Sequence, residues 1–197
     1  MFAEQGIKSI RMDDIAHTLA ISKRTLYEMF TDKEELLYLS VRHLQRKRMA
    51  AVQAVLCNHS DDLSYIFEGM REMLKNRERH SRISNNLRKF YPETFERVRQ
   101  EVTEESGKIL YSLISGYVEH GLILPTVDVR LSVTILYYTT TSLTSMAGNM
   151  SLPDGVSFDD AMSYTIVNFF RGLATLKGVQ QIDDYFKRKA EQTKIIE

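Results

Sequence analysis

The chain has 197 residues, with 26 Lys and Arg against 26 Asp and Glu, and 43% of its residues are hydrophobic. This length is enough for a sizeable core in one or two domains, and the zero formal net charge excludes a basic footprint spread over the whole surface. No stretch approaches the roughly 20 continuous apolar residues of a membrane span, and the single cysteine, Cys57, cannot form an internal disulfide, which favours a reducing compartment.

Short helices with tight joins are predicted over the first 31 residues. Gly6 is a predicted helix stop. Met12–Leu19 repeats apolar residues at helical spacing, and Lys23–Phe30 is predicted as the next helix after a three-residue turn. Ser22 stands where its hydroxyl can cap that second helix. Two such helices joined by a tight turn have the outline of a helix-turn-helix.

The second of these helices divides its side chains between two roles. Leu26, Met29 and Phe30 recur at helical spacing and are expected to anchor one face. In a helix-turn-helix, the N-terminal residues of the second helix face base edges or phosphates in the major groove. The side chains left to meet DNA are those of Lys23, Arg24, Thr25 and Tyr27. A solvated helical hairpin is the alternative, because many core helix pairs have similar spacing.

Longer helices are predicted for the rest of the chain. Thr31 and Glu34 have capping-box spacing and would open a helix running to about Cys57. Gly178 is expected to separate a polar C-terminal helix from the one before it. The helices between are predicted from Asp61 or Asp62 to the stretch 75–80, over about Ser81–Phe90, from Pro92 to near His120, from Asp128 to about Met146, and over Phe158–Leu176. No strand pattern or repeat occurs, so the predicted fold class is all-α.

Two late helices, residues 129–147 and 158–176, are apolar on more than one face. A helix that is apolar all round must be covered on all sides. In a chain of this size, such a helix is either central or at a subunit interface. Two in succession favour a two-fold dimer through a four-helix bundle.

Residues 2–37 closely resemble the N-terminal domain of tetracycline-repressor-type (TetR-type) transcriptional regulators. The resemblance implies a helix-turn-helix DNA-binding domain over residues 1–45 and a larger helical effector-binding and dimerisation domain over residues 46–197. It implies a homodimer that binds a roughly palindromic operator and represses until a small molecule binds. A dimeric ligand- or protein-binding module without DNA binding is the alternative. The matching residues are Phe2, Gly6, Ile15, Ala16, Ile21, Ser22, Thr25, Leu26, Tyr27, Phe30 and 33–36.

The resemblance also implies roles for the exposed residues of the second helix. Thr25 and Tyr27 would contact phosphates. Lys23 and Arg24 stand at positions where sequence is read. Arg24 is the better candidate for a bidentate guanine contact, and Lys23 would contact a base or a phosphate. Glu28 would either accept a hydrogen bond from a cytosine amino group or stay solvated.

The resemblance also implies a phosphate contact by Lys33. The sequence departs from the family pattern at three places in this domain. Ala20 replaces the usual turn glycine, so the turn must avoid or tolerate positive φ. Arg11 replaces the usual capping Ser or Thr and is expected to touch a phosphate instead. The family has most of a helix before Phe2, whereas this chain begins at Met1. Either residues of the native protein are missing, or the first helix is truncated.

Residues 60–150 are rich in aromatic and Met side chains. The resemblance implies that helices from this stretch surround the effector cavity, and such a lining suits a flat or greasy organic ligand. Ordinary core packing is the alternative. The residues expected to bind the ligand are Met73, Phe90, Tyr91, Phe95, Tyr111, Tyr137 and Tyr138.

Catalytic and metal sites are not predicted. The five histidines are scattered, with no pair at metal-ligand spacing. The nucleophile-elbow, Walker and dinucleotide-binding patterns do not occur. We therefore expect no enzyme activity, no metal and no cofactor. The start of the chain shows no secretory signal, so the expected location is the cytoplasm. The expected partners are operator DNA, a small-molecule effector and a second copy of the chain, and no contact with a membrane is expected.

Overall fold

The computed structural model describes residues 1–56 and 61–194. Within these ranges there is no β-strand, and β pairing is limited to an isolated antiparallel bridge between Ile123 and Ala174. The all-α prediction is confirmed. The helices are α1 (Phe2–Gln5), α2 (Met12–Thr18), α3 (Lys23–Met29), α4 (Lys33–Leu56), α5 (Tyr65–Leu74), α6 (Arg77–Phe90), α7 (Pro92–Glu119), α8 (Val129–Met146), α9 (Phe158–Leu173) and α10 (Leu176–Lys194).

The chain divides into two compact units. Unit 1 comprises residues 1–49 and 76–104, and unit 2 comprises residues 50–75 and 105–197 as far as they are described. The boundaries therefore fall within α4, between α5 and α6, and within α7. The predicted boundary at residue 45, between a DNA-binding and an effector-binding domain, stays a prediction. By packing, residues 76–104 group with the first 49 residues.

The helix-turn-helix is built around one small apolar cluster in unit 1. Leu26 of α3 is fully buried there against α2, and Phe30 is half-buried beside it. Met29 is 62% exposed, so its predicted anchoring role is wrong. The cluster covers only the middle of α3, and the helix ends at Met29 before a longer apolar face can form. The buried members of the cluster are Ile10, Met12, Ile15, Ala16 and Leu26.

Ala20 adopts a left-handed backbone conformation in the turn between α2 and α3, with φ of 54°. The N–H of Ile21 donates to the carbonyl of Ala16 (3.0 Å), and that of Ala20 donates to the carbonyl of His17 (3.1 Å). This pair of bonds is a Schellman motif, which normally places glycine at the left-handed position. The turn therefore tolerates positive φ, one of the two alternatives left by the sequence, at a cost in strain.

Replacing Ala20 with glycine should stabilise the protein slightly. A left-handed L-residue costs about 1–2 kcal/mol, and the extra freedom of glycine in the unfolded chain offsets about 0.4–1 kcal/mol of the gain. We expect the free energy of unfolding in urea to rise by about 0.5–1 kcal/mol. Ala50→Gly, at an exposed position inside α4, should lower it by about 1 kcal/mol. Equal losses in both variants would mean that Ala20 is not strained.

The start of α4 differs from the predicted capping box by one residue. Asp32 Oδ1 accepts from the N–H of Glu35 (2.9 Å), and Glu35 Oε2 accepts from the N–H of Thr31 (2.6 Å). The predicted Thr31–Glu34 pair is therefore wrong. A carboxylate accepts a stronger hydrogen bond than a hydroxyl, so Asp32 caps the helix. Glu34 instead accepts a hydrogen bond from the hydroxyl of Thr94 on α7.

A polar network joins α4 to the first half of α7 inside unit 1. The Arg42 side chain is 4% exposed, and its Nε lies 2.8 Å from Glu101 Oε2. The Tyr38 hydroxyl donates to the same carboxylate at 2.9 Å, as does Arg97 Nε at 3.2 Å. Burial alone would raise the pKa of Glu101, but these hydrogen bonds and the Arg42 charge hold that pKa below its ordinary value.

Glu101→Gln should therefore destabilise the protein at neutral pH and matter less in acid. The pKa of Glu101 is lower in the folded than in the unfolded protein, so its contribution is full above the unfolded pKa, about 4.5, and is lost as pH falls through the folded pKa. We expect a loss of about 1–3 kcal/mol at pH 7 that shrinks below pH 4.5, measured by urea unfolding across pH. Glu191→Gln, at an exposed site on α10, is the control. A loss of equal size at pH 3 and pH 7 would contradict the assignment.

Unit 2 has a larger apolar core formed by α5 and α7–α10, and its largest fully buried side chains include Tyr117, Phe67 and Phe170. The cap predicted from sequence for α8 is confirmed. Asp128 Oδ1 accepts from the N–H of Leu131 at the start of α8 (3.0 Å).

None of the helices in the described ranges is long and apolar enough to cross a membrane.

The junction of α9 and α10 departs from the sequence prediction. Helix α9 ends at Leu173 instead of Leu176, because Leu173 and Thr175 exchange backbone hydrogen bonds with the segment around Leu122. Gly178 lies inside α10, so its predicted role as a separator is wrong. A Cβ at this position would come within 2.2 Å of the Leu122 carbonyl oxygen. The glycine therefore allows close backbone approach.

Candidate nucleic-acid interface

The exposed side of α3 carries the four residues that the sequence analysis assigned to DNA. Burial of Leu26 orients the helix, so that Lys23, Arg24, Thr25 and Tyr27 all lie exposed. Ser22 caps the helix as predicted, because its Oγ accepts from the N–H of Thr25 (3.0 Å). This short helix is therefore fixed at one face by packing and at its N-terminus by its cap.

Lys23 pairs with a carboxylate of the preceding helix. Its Nζ lies 2.8 Å from Asp13 Oδ1, and this hydrogen bond and the charge of Asp13 raise the pKa of Lys23 above its ordinary value. Both side chains are largely exposed. An exposed ion pair contributes little to stability because solvent screens it, so Lys23 can exchange Asp13 for a phosphate at little cost.

Arg24 pairs with a carboxylate of its own helix. Its Nε lies 2.8 Å from Glu28 Oε1, and the Arg24 side chain is 89% exposed. This partner of Glu28 was not predicted, although the i, i+4 spacing is the signal that predicts such a pair. The pair of Lys23 with Asp13 carries no comparable signal, since it joins two helices.

Thr25 and Tyr27 complete the exposed side of α3. The Thr25 hydroxyl lies 2.8 Å from that of Ser22, which holds it near the start of the helix. The Tyr27 ring is about half exposed and leaves its hydroxyl accessible. Hydroxyl and phenol groups of this kind commonly contact phosphate oxygens and thereby fix the register of a protein on DNA.

Lys33 and Arg11 lie near one carboxylate, that of Asp14. The backbone N–H of Arg11 donates to Asp14 Oδ2 (2.7 Å). This is one of the two hydrogen bonds of a capping box, so Asp14 provides part of the cap of α2 that could not be assigned from sequence. Lys33 is the first residue of α4 and is half-buried. Burial lowers the pKa of Lys33, and the charge of Asp14 opposes this shift. A guanidinium carries donors only, so the exposed Arg11 side chain can bind a phosphate oxygen.

The predicted effector-binding residues are divided between the units. Tyr91 and Phe95 pack on the apolar cluster of unit 1, and the Phe90 ring lies beneath the ammonium groups of Lys8 and Lys89, at 5.6 and 5.3 Å. In unit 2, Tyr137 and Tyr138 meet edge to face at 5.6 Å. The exposed members of the set are Met73, Tyr111 and Tyr138.

An open groove in each unit includes none of the seven residues. One, of about 440 Å³, lies in unit 1, and the other, of about 380 Å³, lies in unit 2. Both are lined mainly by polar and charged side chains. Effector binding by these seven residues remains a prediction.

Tyr117 is a buried residue of unit 2 with a polar group, and it was not among the predicted site residues. It is fully buried in the core, and its hydroxyl has no hydrogen-bond acceptor among the described protein groups. Burial, with smaller contributions from Asp62 and Asp61, raises its pKa and keeps it protonated. A buried donor left unsatisfied costs about 1–3 kcal/mol. Its position is decided by tertiary packing, and no sequence pattern distinguishes it from other core tyrosines.

Metal binding finds no support in the described ranges, where no group of three or more His, Cys, Asp or Glu side chains could hold an ion. Cys57 and His59 lie outside the described residues. Exposed cations, hydroxyls and a phenol on one short helix instead suit contacts to DNA phosphates and bases.

Comparison with known proteins supports this interpretation. Residues 1–38 match the family described as bacterial regulatory proteins, tetR family. A search of curated protein sequences gives no significant match.

Solved structures with the same fold include several bacterial regulators. One is described as a TetR-family transcriptional regulator from Mesorhizobium loti (TM-score 0.71, 18% identity, covering 88% of this chain and 91% of that one). Another is the fatty acid degradation regulator FadR from Bacillus halodurans (0.63, 17%, 87% and 92%). A third is SmeT, the repressor of the Stenotrophomonas maltophilia multidrug efflux pump SmeDEF (0.65, 13%, 89% and 85%).

Proposed function

We propose that this chain, whose N-terminal domain is of the TetR family and whose fold is that of TetR-family transcriptional regulators, is a homodimeric repressor that releases a palindromic operator when a small molecule binds. The observation that carries the proposal is the exposed side of α3, held outward by the burial of Leu26 and carrying Lys23, Arg24, Thr25 and Tyr27. The cytoplasm is the corresponding location.

The DNA contacts are proposed by residue. Thr25, Tyr27 and Lys33 contact phosphates, which contributes affinity without sequence preference. Arg24 makes a bidentate contact to a guanine, and Lys23 contacts a base or a phosphate. Arg11 adds a phosphate contact at the start of α2.

DNA binding is tested by fluorescence anisotropy, with the fragment upstream of the coding region as the probe and several salt concentrations. Phosphate contacts release counterions, so affinity should fall steeply with salt. Tyr27→Ala and Lys33→Ala should weaken binding to every DNA sequence, while Arg24→Ala should also relax the preference at particular base pairs. Lys177→Ala removes an exposed lysine of unit 2 and is the matched control. A folded dimer that binds no DNA would favour the ligand- or protein-binding module.

Dimerisation is proposed to occur through α8 and α9. Leu131, Ile135, Tyr138 and Met146 lie along one side of α8 at spacings of 4, 3 and 8 residues and are all exposed, while Val133 and Leu136 are buried in the core. On α9, Tyr164 is 74% exposed. An apolar stripe of this kind on a single chain is typical of a subunit interface.

Effector binding is proposed for the core of unit 2, with Tyr117 as a polar contact. An apolar core that contains a buried donor without a described acceptor, as the Tyr117 hydroxyl is, resembles the lining of sites for small organic molecules. A library of apolar compounds bearing a carbonyl or ether acceptor would be screened by release of operator DNA. Tyr117→Phe should keep operator affinity and lose the response to any compound found. A retained response would remove Tyr117 from the site.

A further inference from the structure

We propose that Glu28 is a positioning residue, which orients Arg24 so that the end of its guanidinium reads a base pair. This inference rests on the proposed function, because it requires that α3 binds DNA in a sequence-dependent way. The juxtaposition that carries it is the 2.8 Å approach of Arg24 Nε to Glu28 Oε1, one helical turn apart on the exposed side of α3.

The geometry leaves a particular part of Arg24 available. A guanidinium has five N–H groups in a rigid planar fork. Glu28 accepts the hydrogen bond of Nε, so the N–H groups on Nη1 and Nη2 remain for DNA. This terminal edge can donate to both O6 and N7 of a guanine. Glu28 therefore selects which edge of the guanidinium faces the groove.

Packing cannot provide this orientation. The Arg24 side chain is 89% exposed, so apolar neighbours do not fix its rotamers. Among the described residues, Arg24 makes its polar contact with Glu28. A side chain held in its binding geometry loses less entropy on binding, and the benefit applies only to the base pair that this geometry fits.

Glu28 also carries a charge with the opposite effect on affinity. Its carboxylate is 61% exposed beside the residues proposed to meet DNA, where it repels phosphates at every sequence. Positioning and repulsion can be separated by substitution. Glu28→Gln keeps an acceptor oxygen and removes the charge, whereas Glu28→Ala removes both.

The second ion pair of this surface provides a matched control. Lys23 Nζ lies 2.8 Å from Asp13 Oδ1, but an ammonium is a compact point charge without a planar fork to orient. Asp13→Asn should therefore raise affinity for all DNA and leave base preferences unchanged. It also keeps the side-chain size at the first turn of α2.

The experiment selects preferred sites from a randomised DNA pool with the wild-type chain and identifies the base pair whose preference is lost in Arg24→Ala. Anisotropy then gives the ratio of affinities for the preferred site and for a site changed at that base pair. Glu28→Ala should lower this ratio about twofold to fivefold, the scale of a helical i, i+4 pair or somewhat more. Glu28→Gln and Asp13→Asn should keep the ratio, bind both sites more tightly and show a steeper salt dependence.

Each other result overturns the inference in a recognisable way. An unchanged ratio in Glu28→Ala, with circular dichroism showing a folded protein, would mean that Glu28 is only solvated. A loss of preference at a different base pair would make Glu28 a direct base contact. An Arg24→Ala variant with intact preferences would remove the residue that Glu28 is proposed to orient. These three results leave the proposed function standing, whereas a wild-type chain without sequence preference overturns both.

Discussion

Leu26→Ala should unfold the helix-turn-helix and abolish DNA binding. Leu26 is fully buried in the small cluster that holds α3 against α2. Truncating a buried leucine to alanine costs about 2–5 kcal/mol from lost burial and the cavity left behind. Alanine is a good helix former, so the loss comes from packing alone. We expect the urea midpoint to fall by the corresponding amount and operator affinity to be lost.

Met29→Ala is the matched control, because it removes a side chain of similar size from the same helix. Met29 is 62% exposed, and surface changes of this kind usually stay within about 0.5 kcal/mol. Sequence periodicity assigned Leu26 and Met29 to one buried face, so the two substitutions also separate the sequence prediction from the structure. Similar losses in both variants would show that Met29 is buried in solution.

Ile135→Glu should convert the proposed dimer into monomers. Ile135 lies in the middle of the exposed apolar stripe of α8 and is 46% exposed in the single chain, so the change adds a charge without disturbing the core. Burying an unpaired carboxylate at an interface costs several kcal/mol. A cost of roughly 4 kcal/mol weakens dimerisation about 10³-fold. Analytical ultracentrifugation and anisotropy on a full palindrome would report the loss.

Gln180→Glu adds the same charge at an exposed position of α10 and should leave the dimer intact. Dimers that persist in Ile135→Glu, and in the same change at Leu131, would place the interface elsewhere. Operator binding that persists in a confirmed monomer would contradict the proposed reading of a palindrome by two copies.

Most features that depend on residues a few positions apart followed from the sequence, although the cap of α4 is Asp32 and not the predicted Thr31. Ser22 and Asp128 cap their helices, Gly6 ends α1, and Pro92 begins α7, all as predicted. These signals are local, because a cap, a left-handed glycine or a proline acts on the backbone of its immediate neighbours. The Arg24–Glu28 pair has the same local origin, although its spacing was not used as a prediction.

Features that depend on distant neighbours did not follow from it. Leu26 and Met29 share helical periodicity, and only the extent of the cluster decides which of them is buried. In the sequence, Gly178 has the pattern of a helix stop. In the structure, a Cβ at this position would lie 2.2 Å from the Leu122 carbonyl oxygen, so the glycine is required for close packing. Tertiary backbone hydrogen bonds ended α9 three residues early.

The sequence by itself determined the all-α class, the helix order and a helix-turn-helix with the exposed residues of α3, because periodicity and caps act over one or two turns. Only the tertiary structure decided that Asp13 pairs with Lys23 and that Arg42 is buried beside Glu101. It also decided that the Tyr117 hydroxyl is buried with no hydrogen-bond acceptor among the described protein groups. Each of these depends on which helices pack together. Burial and pairing across helices are set by residues that are far apart along the chain.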